Sequence, residues 1–533
     1  MRRKKYFNNR KIRRQAKKVI CIATLSATML TSIPFVTYTD AYAKGQTTLE
    51  EMKALSMPTE NAITYDLSDA SLLTDKTVVD CFGEEITEKV IEINITKNGN
   101  YIITGNNEIN GALIDTHIVV AEGVEANLIF DGAVIQNDDK YCMEIDTSSH
   151  RYNDPFFPIL DIAGKANVYV KDDTSFTGIG QQEYNSKVIE VIGELVLKES
   201  DATLTLKGAY DAISGQRAGV RQHGSVTVEG GNLVIEGDLS NIDRFTMTGG
   251  TITRQDENYS FLKANDIVMT GGTWNIPFIG SNYNELKVFD AASSITVSGG
   301  KIQVNESRNA SATVLAADHV RVSGGVFELK GDRLKLGTVY DTYGNNVNLF
   351  EITGLPRDAE VAKINGLPVK DMRTTEDGSL HIALTYSSNL IEFTDGTMYK
   401  YDYSNDEETG ADQMVKDETT PISTHQVTLN FPEENTKKAV TVADGFAIQN
   451  TYYDGENRYE YYNNANELYD GLTIHEDEEL ILKNKQPTAT LDGEQFTGAV
   501  LPEGTLYYYK EESRGDYYYR VVYPGEPIRE NTE

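Results

Sequence analysis

The chain has 533 residues, room for roughly three or four domains, and carries 81 acidic against 49 basic residues for a formal net charge of −32. Such a charge disfavours nucleic acid and anionic membrane surfaces as partners, because like charges repel across the interface. Its few cysteines and histidines form no zinc-type cluster, and no Walker, G-x-S-x-G or H-E-x-x-H motif occurs.

The first 43 residues read as an export signal. Ten basic residues lie between Arg2 and Lys18, an apolar run follows from Val19 to about Tyr38, and Ala41-Tyr42-Ala43 is a small-residue cleavage site ahead of Lys44. The long basic region fits a Gram-positive source. The expected location is therefore secreted, or held on the cell envelope, with no membrane span after cleavage. Cys81 and Cys142 remain in the mature chain, and whether they pair is left open.

Residues 44–100 read as an N-terminal cap or lead-in, with a short helix opened by Thr48 and an alternating strand at Ile91-Glu-Ile-Asn-Ile; Tyr101-Ile-Ile, at the boundary, is a further candidate strand. Residues 101–338 read as a right-handed parallel β-helix. The clearest part is 226–329, where five Gly-Gly pairs begin at Gly230, Gly249, Gly271, Gly299 and Gly324. Four positions around each pair are apolar: the fourth and second before the first glycine, and the third and fifth after it. Arg254 is the single exception among the twenty. Apolar residues two apart mark a strand with one buried face. The parity switches across the glycines, so a bend there turns both pairs inward, and glycine suits such a corner. A repeat that cannot bury its own apolar face must stack on its neighbours. A β-sandwich with glycine-rich hairpins is the competing architecture.

Residues 339–404 predict a small β-sandwich-like domain, with turn signals such as Glu376-Asp-Gly. Residues 405–423 hold many carboxylates and few apolar side chains, and read as an acidic linker. Residues 424–533 predict a Tyr-rich C-terminal β-domain, with tyrosine runs around Tyr508 and Tyr518.

Ala126-Asn-Leu-Ile-Phe-Asp-Gly, Pro158-Ile-Leu-Asp-Ile-Ala-Gly-Lys-Ala-Asn-Val and the Val-Ser-Gly-Gly repeats resemble β-helical surface proteins of Gram-positive anaerobes. These are described as carbohydrate-binding-domain proteins and look like pectate lyases in fold. The resemblance covers roughly residues 90–400 and implies a surface location and a glycan or cell-wall polysaccharide as partner. Some relatives bind polysaccharide through acidic loops and calcium. Asp211 in Tyr210-Asp-Ala-Ile resembles an element of that kind, but Gln216-Arg-Ala-Gly-Val-Arg beside it is not acidic, so no cofactor is expected and calcium is the only one raised.

Three functions follow. The first is a non-catalytic carbohydrate-binding or adhesin-like protein. Its ligand-binding candidates are the outward hydroxyls Thr248, Thr270, Ser298 and Ser323, stacked beside the glycine corners, and Tyr508 and Tyr518, whose rings suit sugar faces. The second is a calcium-dependent polysaccharide lyase, for which Arg217, Arg221, His223 and Asp211 are the best available set. The third is a structural surface spacer. Ligand identity and oligomeric state are not readable from these residues.

Overall fold

The computed structural model describes residues 57–79, 85–139, 158–180, 187–216, 223–255, 261–277, 286–305, 312–331, 334–406, 410–454, 457–463, 465–484, 488–491, 494–497, 507–513 and 516–522. The leader through Lys44, the Thr48 helix, both mature cysteines, Arg217 and Arg221 lie outside these residues. From Pro58 onward the chain is one unit. The described residues are mainly β, and the one helical element among them is the three-residue turn Ala70–Leu72.

Three parallel ladders organise the described residues between 91 and 329. In the first, 125–130 pairs with 165–170, and the pairing continues through 194–197, 225–228, 245–247, 267–269 and 295–297 to 320–322. The second ladder runs from 134–139 through 175–180, 204–208, 232–236, 251–254, 273–276 and 301–304 to 326–329. The third runs from 91–95 through 116–120, 160–162, 189–191, 213–214, 239–240 and 262–264 to 289–291. Long strands such as Asn232–Met247 belong to all three ladders, so the sheet closes on itself around a continuous apolar core. The phase of the Gly-Gly repeat is the register of these ladders. Val226, Phe245, Ile267, Ile295 and Val320 stack in the first, and Leu233, Ile252, Trp274, Ile302 and Phe327 in the second, all buried.

The two glycines of each pair do different jobs. The second has positive φ, +79° at Gly300, a conformation that side chains rarely adopt. The first has ordinary φ, but a Cβ on Gly299 would meet the Lys370 carbonyl at 2.6 Å. That carbonyl belongs to a strap, residues 369–372, which crosses the corners. Gly300 N–H donates to the Lys370 carbonyl at 2.8 Å. Gly272 N–H donates to the Asp371 carboxylate at 2.9 Å, and Lys370 Nζ donates to the Thr248 carbonyl at 2.9 Å. The repeat signature thus encodes a bend and a docking floor together.

Parallel pairing begins inside the segment read as a lead-in: Ile63–Asp66 pairs with 101–104, and 91–95 with 116–120. Leu73–Val79 folds back antiparallel on Glu85–Ile95. At the far end, Val326 pairs antiparallel with Ile382, which covers the last strand of the second ladder.

Val347–Ile352 and Leu380–Thr385 then form an antiparallel pair. A five-stranded sheet packs with it around a second core of Phe350, Ile382, Phe393, Tyr401 and neighbours. The acidic linker requires correction in part. Asp412–Lys416 is the edge strand of that sheet, paired with 401–405. Lys400 pairs with Asp417 and Lys416 with Glu418, so the end of the acidic run is held by lysines of the sheet. The terminal region holds a separate five-stranded sheet over 424–484 with its own aromatic core, and Tyr507–Ser513 pairs with Asp516–Val522.

Candidate functional site

Of the predicted lyase residues, Asp211 and His223 are described. Asp211 lies in the third ladder between Lys187 and Asp238, its neighbours in the coils on either side. It is 3% exposed. Burial pushes its carboxyl up to about 7, and Asp238 adds to the rise. A hydrogen bond with the Ser240 side chain, together with Lys187 and Lys263, opposes it. Asp211 Oδ1 has no hydrogen-bond partner among the described residues. His223 turns elsewhere, its Nδ1 2.8 Å from the Asn241 carbonyl oxygen. No described contact joins the two.

Asp211 belongs to a row of buried ionisable groups along this ladder. Lys187 lies 3.2 Å from Glu190. Arg254, the exception to the apolar pattern, is 2% exposed and reaches Asp238 at 3.0 Å while standing over the Phe261 ring at 4.2 Å. A buried arginine survives at an inward position because it has a carboxylate and an aromatic face to meet. The donors around Asp211 include two lysines, a set unsuited to calcium. Among the described residues no group of three His, Cys, Asp or Glu is placed to hold a metal ion.

The corner hydroxyls are partly covered. Thr248, Thr270, Ser298 and Ser323 are half-buried beside corners that the strap crosses. The side chains of Tyr508 and Tyr518 lie outside the described residues; their backbones sit opposite Val521 and Glu511. Tyr452, Tyr459 and Tyr461 are core, packed edge-on with Phe431 or with one another.

A ligand-sized opening lies elsewhere. A cleft of about 780 Å³ separates the last coil, at Phe327–Lys330, from the sheet that follows. On Val347–Ile352, alternation sends Leu349 and Glu351 to the cleft and Phe350 to the core behind. Glu351 sits opposite His381, with Oε1 3.8 Å from Nε2. Asp377 caps the turn below, accepting from Thr375 and, at 3.0 Å, from Ser379, and these bonds hold its carboxyl below the usual range. Glu328 is paired with Lys301 at 2.7 Å. Carboxylates and an imidazole over two leucines offer hydrogen bonds to hydroxyls and an apolar floor to a ring. Sequence reasoning missed this site because its walls come from segments some fifty residues apart; Phe327 and Leu329 read as repeat positions, Glu376-Asp-Gly as a turn and His381 as part of a strand, with nothing to join them.

Residues 89–332, just under half of the chain, match a family model described as carbohydrate-binding domain-containing protein. That match supports a carbohydrate-binding role. Comparison with curated proteins and with solved structures gives no match. The matched stretch contains most of the three ladders and ends beside the cleft.

Proposed function

We propose that this is an exported, non-catalytic glycan-binding protein of a Gram-positive envelope, and that the cleft beside the last coil is where it holds the glycan. The observation that carries the reading is the cleft: it is open, ligand-sized, and rich in hydroxyl-accepting groups at the end of the family-matched stretch. We take the three ladders as faces of a right-handed parallel β-helix, in keeping with the handedness of parallel crossovers. The leader is read as cleaved after Ala43, so Lys44 is the expected first residue of the exported chain.

The test is a glycan array probed with residues 44–533. Glu351→Gln and His381→Ala are expected to weaken binding several-fold while leaving melting unchanged, because both side chains stand at the cleft surface. Retention that ignores both substitutions moves the site elsewhere. Absence of any retention leaves the spacer.

A second reading rests on Asp211, a buried carboxyl held near neutrality beside another carboxylate, which is an arrangement used for acid–base work. Absorbance release on pectin, abolished by Asp211→Asn, Arg217→Ala or Arg221→Ala, would replace binding with lyase chemistry.

A further inference from the structure

Among the described residues, one aromatic side chain stands among the exposed large apolar groups: Tyr386, 43% exposed, just after the Leu380–Thr385 strand. Its ring is fixed by two perpendicular neighbours, Tyr403 at 5.1 Å and Phe350 at 6.0 Å between centroids. An aromatic held this way has lost its rotamer freedom already, so a ligand stacking on it meets little further entropy cost.

Polar groups flank the ring on the same sheet surface. In the antiparallel pair of Met398–Asn405 with Asp412–Lys416, Tyr403 lies opposite Met414 and Asn405 opposite Asp412. Residues two apart share a face, about 7 Å along the strand, so Tyr403, Asn405 and Asp412 face the same way. Tyr403 O–H donates to Asp412 Oδ1 at 2.7 Å, and Asn405 Nδ2 donates to the same oxygen at 3.0 Å. Both donors therefore orient the carboxylate through one oxygen. Oδ2 takes no hydrogen bond among the described residues and lies on an exposed residue. The Tyr403 and Asn405 bonds keep this carboxyl ionised, below its usual range.

We propose that Tyr386, with Tyr403, Asn405 and Asp412, forms a second carbohydrate-contacting surface that stacks one ring of a neutral polysaccharide. The chemistry selects this partner. A pyranose offers an apolar C–H face to the exposed ring and hydroxyl donors at its rim to Asp412 Oδ2. A uronate polymer would bring carboxylates against Asp412 in a chain of net charge −32. The surface is separate from the cleft: Leu349 and Glu351 line the cleft, whereas Phe350 between them points the other way and touches Tyr386. The inference thus goes beyond the cleft and fails separately from it.

The experiment is affinity electrophoresis of the full chain through gels containing xylan, mixed-linkage β-glucan or polygalacturonate. Variants are Tyr386→Ala, Tyr386→Phe, Asp412→Ala and the cleft variant Glu351→Gln. Retardation of the wild type by a neutral polymer, lost at least tenfold in Tyr386→Ala, kept in Tyr386→Phe and reduced in Asp412→Ala, is the expected result. Melting curves accompany each variant, and Asp412→Ala, on an exposed edge, removes the carboxylate and the acceptor of the Tyr403 hydroxyl while leaving both rings in the chain. Retardation unchanged in Tyr386→Ala, or lost only in Glu351→Gln, overturns this surface and leaves the cleft. Retardation only by polygalacturonate overturns it, as does no retardation of the wild type in any neutral gel.

Discussion

The coils and the terminal five-stranded sheet are built from the same alternating strands, yet they fill their interiors differently. In the coils each inward side chain rests on its counterpart one coil away, so aliphatic residues and an occasional aromatic suffice: Phe245, Ile267, Ile295 and Val320 stack in one file. The terminal sheet has no next coil. Its core is closed by large rings meeting edge-on, with Tyr343, Phe431, Tyr452 and Tyr459 within about 6 Å of a partner. A stacked repeat shares its core with its neighbours; a small sheet must supply bulk from its own side chains.

The most severe way to break this contrast is to bury a charge in each core. Val297→Asp places an unpaired carboxylate between Met269 and Val322, and a loss above about 4 kcal/mol is expected. Leu429→Asp should do the same to the terminal sheet alone. Calorimetry should show the coil transition lowered by the first and only the terminal transition lowered by the second. A single transition moved equally by both would show that the two cores melt as one.

Acid sharpens the comparison next. Asp211 in the coils and Asp341 near the terminal sheet are both raised to about 7, chiefly by burial. At Asp341, hydrogen bonds from Asn345, 2.8 Å from its backbone N–H and 3.0 Å from Nδ2, and the nearby Arg321 oppose the rise. Each folded-state value lies above that of an unfolded aspartate. Their stabilising effect is therefore complete below about pH 4 and is lost as pH rises to about 7, because the unfolded chain releases protons that the folded chain still holds. Each group is worth up to about 4 kcal/mol between these limits. Asp211→Asn should flatten this slope for the coil transition, and Asp341→Asn should flatten it where the terminal sheet joins the coils. An unchanged melting profile from pH 4 to 8 in either variant contradicts its buried acid.

Glycines give a smaller contrast. Gly300→Ala imposes strain at φ +79° and drives a Cβ within 2.6 Å of the Gly272 carbonyl, for a loss of about 3 kcal/mol. Gly396→Ala, at φ +83° in a hairpin with open space around it, should lose only about 1 kcal/mol. Equal losses by urea titration would mean that close approach of one coil to the next at the corners carries no cost of its own.

The smallest effect separates two tyrosines. Tyr459 donates to the Glu434 carboxylate, so Tyr459→Phe should cost about 1 kcal/mol. Tyr461 has a buried hydroxyl without a hydrogen-bond partner among the described residues, so Tyr461→Phe should be neutral or slightly stabilising. Melting temperatures of the two variants decide it.

The sequence by itself determined the mainly β class, the phase of the coil repeat and the inward positions. Their warrant is local: a period of two and a glycine corner are properties of consecutive residues. It also marked Arg254 as the place where the pattern breaks, which is where the buried Asp238 partner sits. Tertiary structure decided the rest. Why the first glycine of a pair must be glycine depends on the backbone of the neighbouring coil, such as the Thr270 carbonyl 2.4 Å from a Cβ on Gly299, and at Gly271 and Gly299 also on Asp371 and Lys370, about a hundred and about seventy residues downstream respectively. Whether a tyrosine is core or surface depends on which sheet face closes over it, so Tyr461 is buried and Tyr386 is exposed with no local difference to announce it. The cleft exists only because Val326 pairs with Ile382 and brings Glu351 and His381 against the last coil. Strand alternation is written in neighbouring residues, whereas a site between two sheets is made by contacts that no short stretch of sequence contains.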